Sequence, residues 1–284
     1  MLNSDPYMMD KRCLITGATS GIGKVTATDL AGRGASVVLV GRNQGKSQLT
    51  VEHIRQETGN RQIEYLIADL SVQAEIHQLA ETFKEQYDRL DVLINNAGAI
   101  FFSREETQDG LERTFALNHL GYFLLTNLLL DMIRQSAPVR VINVSSEAHR
   151  GASINFDDLQ CEEKFSPMRA YGQSKLANIL FTYELDRRLE NTNITVNALH
   201  PGFIASNFGR NAGLLGKIIM PVLYLFAKSP EKGAQTSIYL ATSPEVEGVS
   251  GHYFINEQPA TSSEESYDSD VAARLWNMSE ELTG

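Results

Sequence analysis

Seven short apolar runs recur along the chain, each separated from the next by a longer segment, most of them of helical period. That alternation narrows the fold to parallel strands joined by helical crossovers. The runs fall at 13–16, 36–40, 63–67, 92–95, 139–144, 194–199 and 252–255. Most are apolar throughout, as strands covered on both faces are; a one-sided sheet would alternate apolar with polar residues. Helix-period segments lie at 23–33, 45–57, 73–87, 110–135, 168–189 and 231–242. Pro138, Pro167, Pro201, Pro230 and Pro244 fall at the edges of this scheme, where a missing N–H costs little. The pattern predicts one α/β domain over residues 1–284, a doubly wound, mostly parallel seven-stranded sheet with helices on both faces and a core at about 11–256. The acidic, Ser- and Thr-rich stretch 258–270 reads as a solvated loop, and 271–282, with Leu275 and Trp276, as a short helix that docks back.

Charge and composition remove several functions. A formal net charge of −10 with no basic run leaves nothing to displace counterions from a nucleic-acid backbone. Cys13 and Cys161 are too few for a disulfide framework, and the six histidines show no ligand spacing with acids or cysteines, so no metal is expected. Residues 1–10 lack a basic segment followed by an apolar run, which predicts no secretory signal and a cytoplasmic protein. The longest apolar stretch, 214–227, is interrupted by Gly216, Lys217 and Pro221 and falls short of the roughly 20 residues a bilayer requires, so no stable membrane insertion is expected.

Directly after the first run comes Thr16-Gly17-Ala18-Thr19-Ser20-Gly21-Ile22-Gly23, leading into a helix. Glycines at such a turn let backbone N–H groups approach a pyrophosphate, and the helix N-terminus adds partial positive charge. The glycine spacing departs from the G-x-G-x-x-G fingerprint, and a glycine turn alone is also an ordinary strand-to-helix connection. The second run ends Val40-Gly41-Arg42, where a site for NAD would carry an acid to hold the ribose 2′-hydroxyl. Arg42 instead offers a planar cation to a 2′-phosphate, with Ser20, Asn43 and Lys46 as auxiliary donors, which favours NADP(H). On this reading, Gly41→Asp combined with Arg42→Ala shifts preference toward NAD. Asp69 and Leu70 close the third run and Asn95, Asn96, Ala97 and Gly98 the fourth, all at strand ends that face a ligand in such folds.

Tyr171-Gly172-Gln173-Ser174-Lys175 lies within a helix-period segment, so Tyr171 and Lys175 project from one face. Taken alone, a Tyr and a Lys four apart are ordinary surface residues. A cation about 4 Å from a phenol at an effective dielectric of about 20 is worth roughly 4 kcal/mol. That would bring the phenol from about 10 to near 7, where acid–base catalysis is most effective. Upstream, the fifth run ends in Ser145 and Ser146, hydroxyls placed to hydrogen-bond a carbonyl as charge develops on its oxygen.

The glycine turn, Asn95-Asn96-Ala97-Gly98, Asn118, Ser145-Ser146, Tyr171-x-x-x-Lys175 and Pro201-Gly202 occur in an order that resembles the short-chain dehydrogenase/reductase family over nearly the whole chain. The resemblance implies a Rossmann-type fold and a nicotinamide cofactor. It implies that Tyr171 is the general acid in carbonyl reduction, that Lys175 lowers its pKa and binds the nicotinamide ribose, and that Ser146 polarises the substrate. Asn118 matches the position that holds a water linked to the lysine. Pro201, Gly202, Ile204 and Ser206 match the segment that fixes the nicotinamide carboxamide, with Ser206 in a place usually held by threonine.

Finer features resemble the retinol dehydrogenase-like branch: Leu117-Asn118-His119-Leu120-Gly121-Tyr122-Phe123, His200-Pro201-Gly202, Ser243-Pro244-Glu245 and the terminal Leu275-Trp276. That branch acts on retinoids and other apolar carbonyls, and many of its members carry an N-terminal membrane anchor, which is not expected here. Residues 208–228 match a substrate lid, and the apolar side chains of 214–227 would line a pocket, pack in the core or touch a membrane surface. The resemblance also implies pairing through segments 110–135 and 168–189 into a homodimer or homotetramer, although some relatives are monomers. The leading expectation is an NADPH-dependent reductase of apolar aldehydes or ketones, reversible to alcohol oxidation. The alternatives are a non-catalytic NADP-binding regulator and a protochlorophyllide-type reductase on the same scaffold.

Overall fold

The computed structural model describes residues 7–202 and 229–284; the expected lid, 208–228, and the candidates Ile204 and Ser206 lie outside the described residues. One sheet organises the structure. Its strands are β1 (Arg12–Thr16), β2 (Ser36–Gly41), β3 (Ile63–Ile67), β4 (Val92–Asn95), β5 (Val139–Val144), β6 (Ile194–His200), β7 (His252–Ile255) and β8 (Gln258–Ala260). They lie in the order β3-β2-β1-β4-β5-β6-β7-β8. Every neighbouring pair is parallel except β7 with β8.

The sheet has eight strands rather than the seven expected, and the eighth comes from the stretch read as a solvated loop. Asn256 and Glu257 both adopt left-handed backbone, with φ of 49° and 65°. Two such residues in succession form the hairpin turn whose twist matches the flanking strands, so the chain doubles back on β7. The returning strand, Gln258-Pro259-Ala260, occupies the sheet edge, where a proline is tolerated. It carries no apolar alternation to signal it.

The helices are α1 (Gly21–Gly32), α2 (Gln44–Thr58), α3 (Gln73–Gln86), α4 (Arg113–Phe115), α5 (Gly121–Leu128), α6 (Leu130–Ser136), α7 (Pro167–Arg188), α8 (Pro230–Thr242) and α9 (Ser269–Thr283). Successive strand residues point to opposite faces, and this sorts the core into two layers. Cys13, Ile15, Val37 and Leu39 pack with Leu30 of α1, Ile54 of α2 and Leu240 of α8. Leu14, Val38, Val40 and Leu93 pack with Phe83 of α3, Leu125 of α5 and Phe181 of α7. Trp276 of α9 closes the second layer, 4.9 Å from the Phe123 ring and 5.8 Å from that of Phe181.

Segment 110–135 is not the single helix its periodicity predicts. It breaks into α4, a π-helical turn at Ala116–Leu120, α5 and α6. The buried Glu112 carboxylate accepts from the N–H groups of Thr114 and Phe115 and so starts the helix only there. The π turn carries Asn118, and such turns recur at functional positions. Strands β2 and β3 lie on one side of β1, and β4 to β7 on the other. The switch in strand order therefore opens a crevice beyond the carboxyl ends of β1 and β4.

Candidate active site

The glycine turn closes against the exit of β4. Gly17 has φ +65°, and a Cβ there would stand 2.8 Å from the Ala97 Cα; one at Gly23 would stand 2.6 Å from the Gly17 carbonyl oxygen. Only glycine fits at these positions. Thr16 ties the two strand ends together, because its Oγ1 accepts from the N–H groups of Asn96 and Ala97 at 2.8 and 3.0 Å. Asn96 Nδ2 donates to the Thr16 carbonyl at 2.8 Å. Ser20 then caps α1 in extended backbone with no side-chain bond to the helix, which leaves the first N–H groups of α1 facing the crevice.

At the end of β2, a Cβ on Gly41 would stand 2.6 Å from Thr19 Cγ2 and 2.9 Å from Ser47 Oγ. A side chain at Gly41 would have to displace the ends of the Thr19 and Ser47 side chains, so Gly41→Asp would shift the turn as well as add a charge. Arg42 follows directly at the end of the strand. Its side chain is exposed and stands 3.6 Å from Asp69, an exposed ion pair of little strength. The Asn43 side chain caps α2 by accepting from Lys46 N–H.

Three further cofactor candidates lie at the ends of β3 and β4. The Asn95 side chain is fully buried and donates to Thr126 Oγ1 and Asn143 Oδ1 at 3.0 and 2.9 Å, inside the fold. Its side chain therefore joins β4, β5 and α5 and does not face the crevice. The Leu70 carbonyl lies where a Cβ on Gly121 would approach to 2.6 Å, so Leu70 is a seat for α5. Asp69 accepts from Ser71 N–H and Oγ. Its carboxyl titrates below the usual range: burial raises it, and the Ser71 bonds and the Arg42 charge outweigh that.

The reacting residues do converge. A Cβ on Gly98 would stand 3.2 Å from Asn118 Oδ1 and 3.3 Å from Lys175 Nζ, which places the β4 exit, the π turn and α7 at one point. Asn118 is buried; its Oδ1 accepts from Ala99 N–H, and its Nδ2 donates to the Ala99 carbonyl and to Ser174 Oγ. Lys175 Nζ donates to the Val144 carbonyl at 3.0 Å and stands 5.7 Å from the ring centroids of both Tyr171 and Tyr122. Gly172 sets the approach on the other side, since a Cβ there would stand 2.8 Å from the Ala148 carbonyl. That contact seats the start of α7 on the loop after β5 and brings the Ser146 hydroxyl within hydrogen-bonding reach of the Tyr171 phenol. Ser145 turns away and donates to the Lys175 carbonyl at 2.7 Å, pinning α7 to β5.

The charge states differ from the sequence estimate. Burial pushes the Tyr171 phenol up to about 12, with the Ser146 bond pulling weakly the other way. Burial likewise presses the Lys175 ammonium down to about 7. A phenol near 7 presumed a nearby ammonium in a moderately polar medium. Here desolvation disfavours both charged forms. Tyr122, which nothing in its spacing singles out, has its hydroxyl fully buried beside this pair without a hydrogen-bond partner among the described residues. Ser174, a spacer of the Tyr-x-x-x-Lys motif in sequence, holds Asn118 by accepting from its Nδ2 at 3.0 Å.

Among the described residues, no group of histidine, cysteine and acidic side chains could hold a metal ion, and no helix is long and apolar enough to cross a membrane. The glycine turn, the strand ends and the Tyr171–Lys175 pair together fit a nicotinamide dinucleotide. The comparisons with known proteins agree. Residues 11–213 match the short chain dehydrogenase family. Human retinol dehydrogenase 13 is 44% identical over 280 residues, covering 96% of this chain and 85% of the relative. Human polyprenol dehydrogenase is 42% identical over 286 residues, covering 98% of this chain and 87% of the relative. A short chain dehydrogenase structure from Escherichia coli CFT073, complexed with NADPH, superposes with a TM-score of 0.70 at 25% identity, over 89% of this chain and 100% of that one. The chain is an oxidoreductase acting on CH–OH or carbonyl groups with a nicotinamide cofactor, and it belongs to the short chain dehydrogenase family, in its retinol dehydrogenase-like branch.

Proposed function

We propose that the chain is an NADPH-dependent reductase of apolar aldehydes or ketones, reversible to alcohol oxidation. The observation that carries this reading is the convergence of Ser146, Tyr171 and Lys175 on one sheet edge beside the glycine turn. The bound dinucleotide supplies the hydride. Tyr171 holds its proton throughout the neutral range and gives it to the carbonyl oxygen as that oxygen gains charge. The Ser146 hydroxyl donates to the same oxygen. Lys175 and Asn118, which meet beside Gly98, would hold the ribose of the dinucleotide and relay the proton that Tyr171 regains. Retinol and polyprenol, in the names of two relatives, are both apolar alcohols, which supports an apolar substrate here. A cytoplasmic location belongs to the same reading and is checked by cell fractionation.

Mixing the protein with NADPH and a panel of aldehydes tests it. Long apolar aldehydes are expected to consume the reduced-nicotinamide absorbance and short polar ones to leave it; the reverse order would overturn the substrate class. Cofactor choice has its own test at Arg42, whose exposed pair with Asp69 a phosphate would displace. Hydrogen bonds to a charged group are worth about 1.5–3 kcal/mol. Arg42→Ala is therefore expected to lower the NADPH/NADH ratio of kcat/KM about 10- to 100-fold. An unchanged ratio would remove the assignment.

A further inference from the structure

The loop that carries Ser146 is held by a histidine that the proposed chemistry does not use. His149 is fully buried, its ring set edge-on against Tyr253 at 5.1 Å. Its Nδ1 stands 2.6 Å from the Ser146 carbonyl oxygen, and its Nε2 stands 3.0 Å from the backbone N–H of Ser263. A carbonyl only accepts and an N–H only donates, so both partners require the neutral ring with its proton on Nδ1. The Ser146 carbonyl also receives the backbone N–H of His149 at 3.1 Å. Two donors on one carbonyl fix the peptide that follows Ser146, and with it the direction of the Ser146 hydroxyl. That hydroxyl accepts from Ala148 N–H in the same turn and meets the Tyr171 phenol.

Ser263 belongs to the segment after β8, and further bonds join that segment and β7 to this loop. Arg150 Nη2 donates to the Thr261 carbonyl at 2.7 Å. The Tyr253 hydroxyl donates to the Glu147 carboxylate at 3.0 Å. We infer that His149 is a positioning residue for Ser146 through its Nδ1 bond to the Ser146 carbonyl, and that through Nε2 the same ring ties the chain after β8, at the Ser263 N–H, to the active-site loop. The assignment of Ser146 rests on the proposed function; the bridge from Ser146 to Ser263 does not.

Two nearly isosteric substitutions separate the bridge from simple packing. In His149→Asn, the side-chain amide nitrogen occupies nearly the place of Nδ1 and can donate to the Ser146 carbonyl, while nothing remains to accept from Ser263. In His149→Leu both bonds go. Misplacement of a reacting group by about 1 Å costs about 100-fold. His149→Leu is therefore expected to lower kcat about 100-fold with the KM for NADPH unchanged, and His149→Asn to recover most of that loss. Equal kcat in the two variants, whether both high or both low, would overturn the proposal. Hydrogen exchange provides a readout independent of turnover. His149→Asn is expected to speed exchange at 261–267 and to leave 145–150 protected, and His149→Leu to speed both. Should the leucine variant fail to fold, the asparagine variant decides alone: full protection at 261–267, or lost protection at 145–150, refutes the bridge. A wild-type protein inactive on every carbonyl would defeat the proposed function, and the exchange pattern would still judge the bridge.

Discussion

Tyr171→Phe is expected to lose about 100- to 10,000-fold in kcat, the range of a general acid, while NADPH binding stays within about twofold. The substitution removes one oxygen and leaves the ring that packs beside Lys175. Because that oxygen would deliver a proton only as the carbonyl accepts hydride, its loss falls on kcat and not on cofactor affinity. Fluorescence titration with NADPH beside single-turnover kinetics checks both halves. Turnover at the wild-type rate in Tyr171→Phe would remove the tyrosine from the chemistry.

Lys175→Met is expected to abolish most activity and, in the cofactor-free protein, to make the fold more stable. Burial presses the Lys175 ammonium from 10.5 down to about 7. The folded state therefore binds fewer protons than the unfolded chain between those values, so wild-type stability rises with pH across that window. At and below about pH 7 the folded protein bears the whole cost of the buried charge, on the order of 5 kcal/mol. Methionine removes the charge at similar length. Val144 keeps a second donor, Asn178 Nδ2, at 3.3 Å. Urea unfolding should show the variant more stable by about 2–5 kcal/mol at pH 6, with the gap closing toward pH 10. A variant less stable than wild type at pH 6 would mean that the Nζ bond to Val144 outweighs the desolvation. Function retained at a cost in stability is a common arrangement at reacting centres.

The same pair shows how far spacing carries. A separation of four residues on one helix was enough to place Tyr171 and Lys175 on one face, and the structure brings Nζ to 5.7 Å from the phenol ring. Spacing carries no dielectric. It could not show that Val144 would draw the ammonium onto a carbonyl, or that burial would raise the phenol and lower the amine together. Gly41 teaches the same lesson at the cofactor end. Its sequence position offers no acid to the ribose, and only the structure shows the Thr19 and Ser47 side chains packed against it.

What the sequence determined by itself was the alternating pattern of the sheet, the glycine turn, and the identity of the groups at the strand ends. These follow from local periodicity and from residues whose chemistry or backbone freedom is peculiar to them. Tertiary structure decided the rest: the break of segment 110–135 around Asn118, the eighth strand, the inward turn of Asn95 and the hold of Ser263 on His149. Each of these depends on a partner remote in sequence, or on a buried carboxylate or backbone twist that no apolar period records. Periodicity reports which face of an element is buried. Which atoms meet there, and how much water they lose, is settled only when the elements pack.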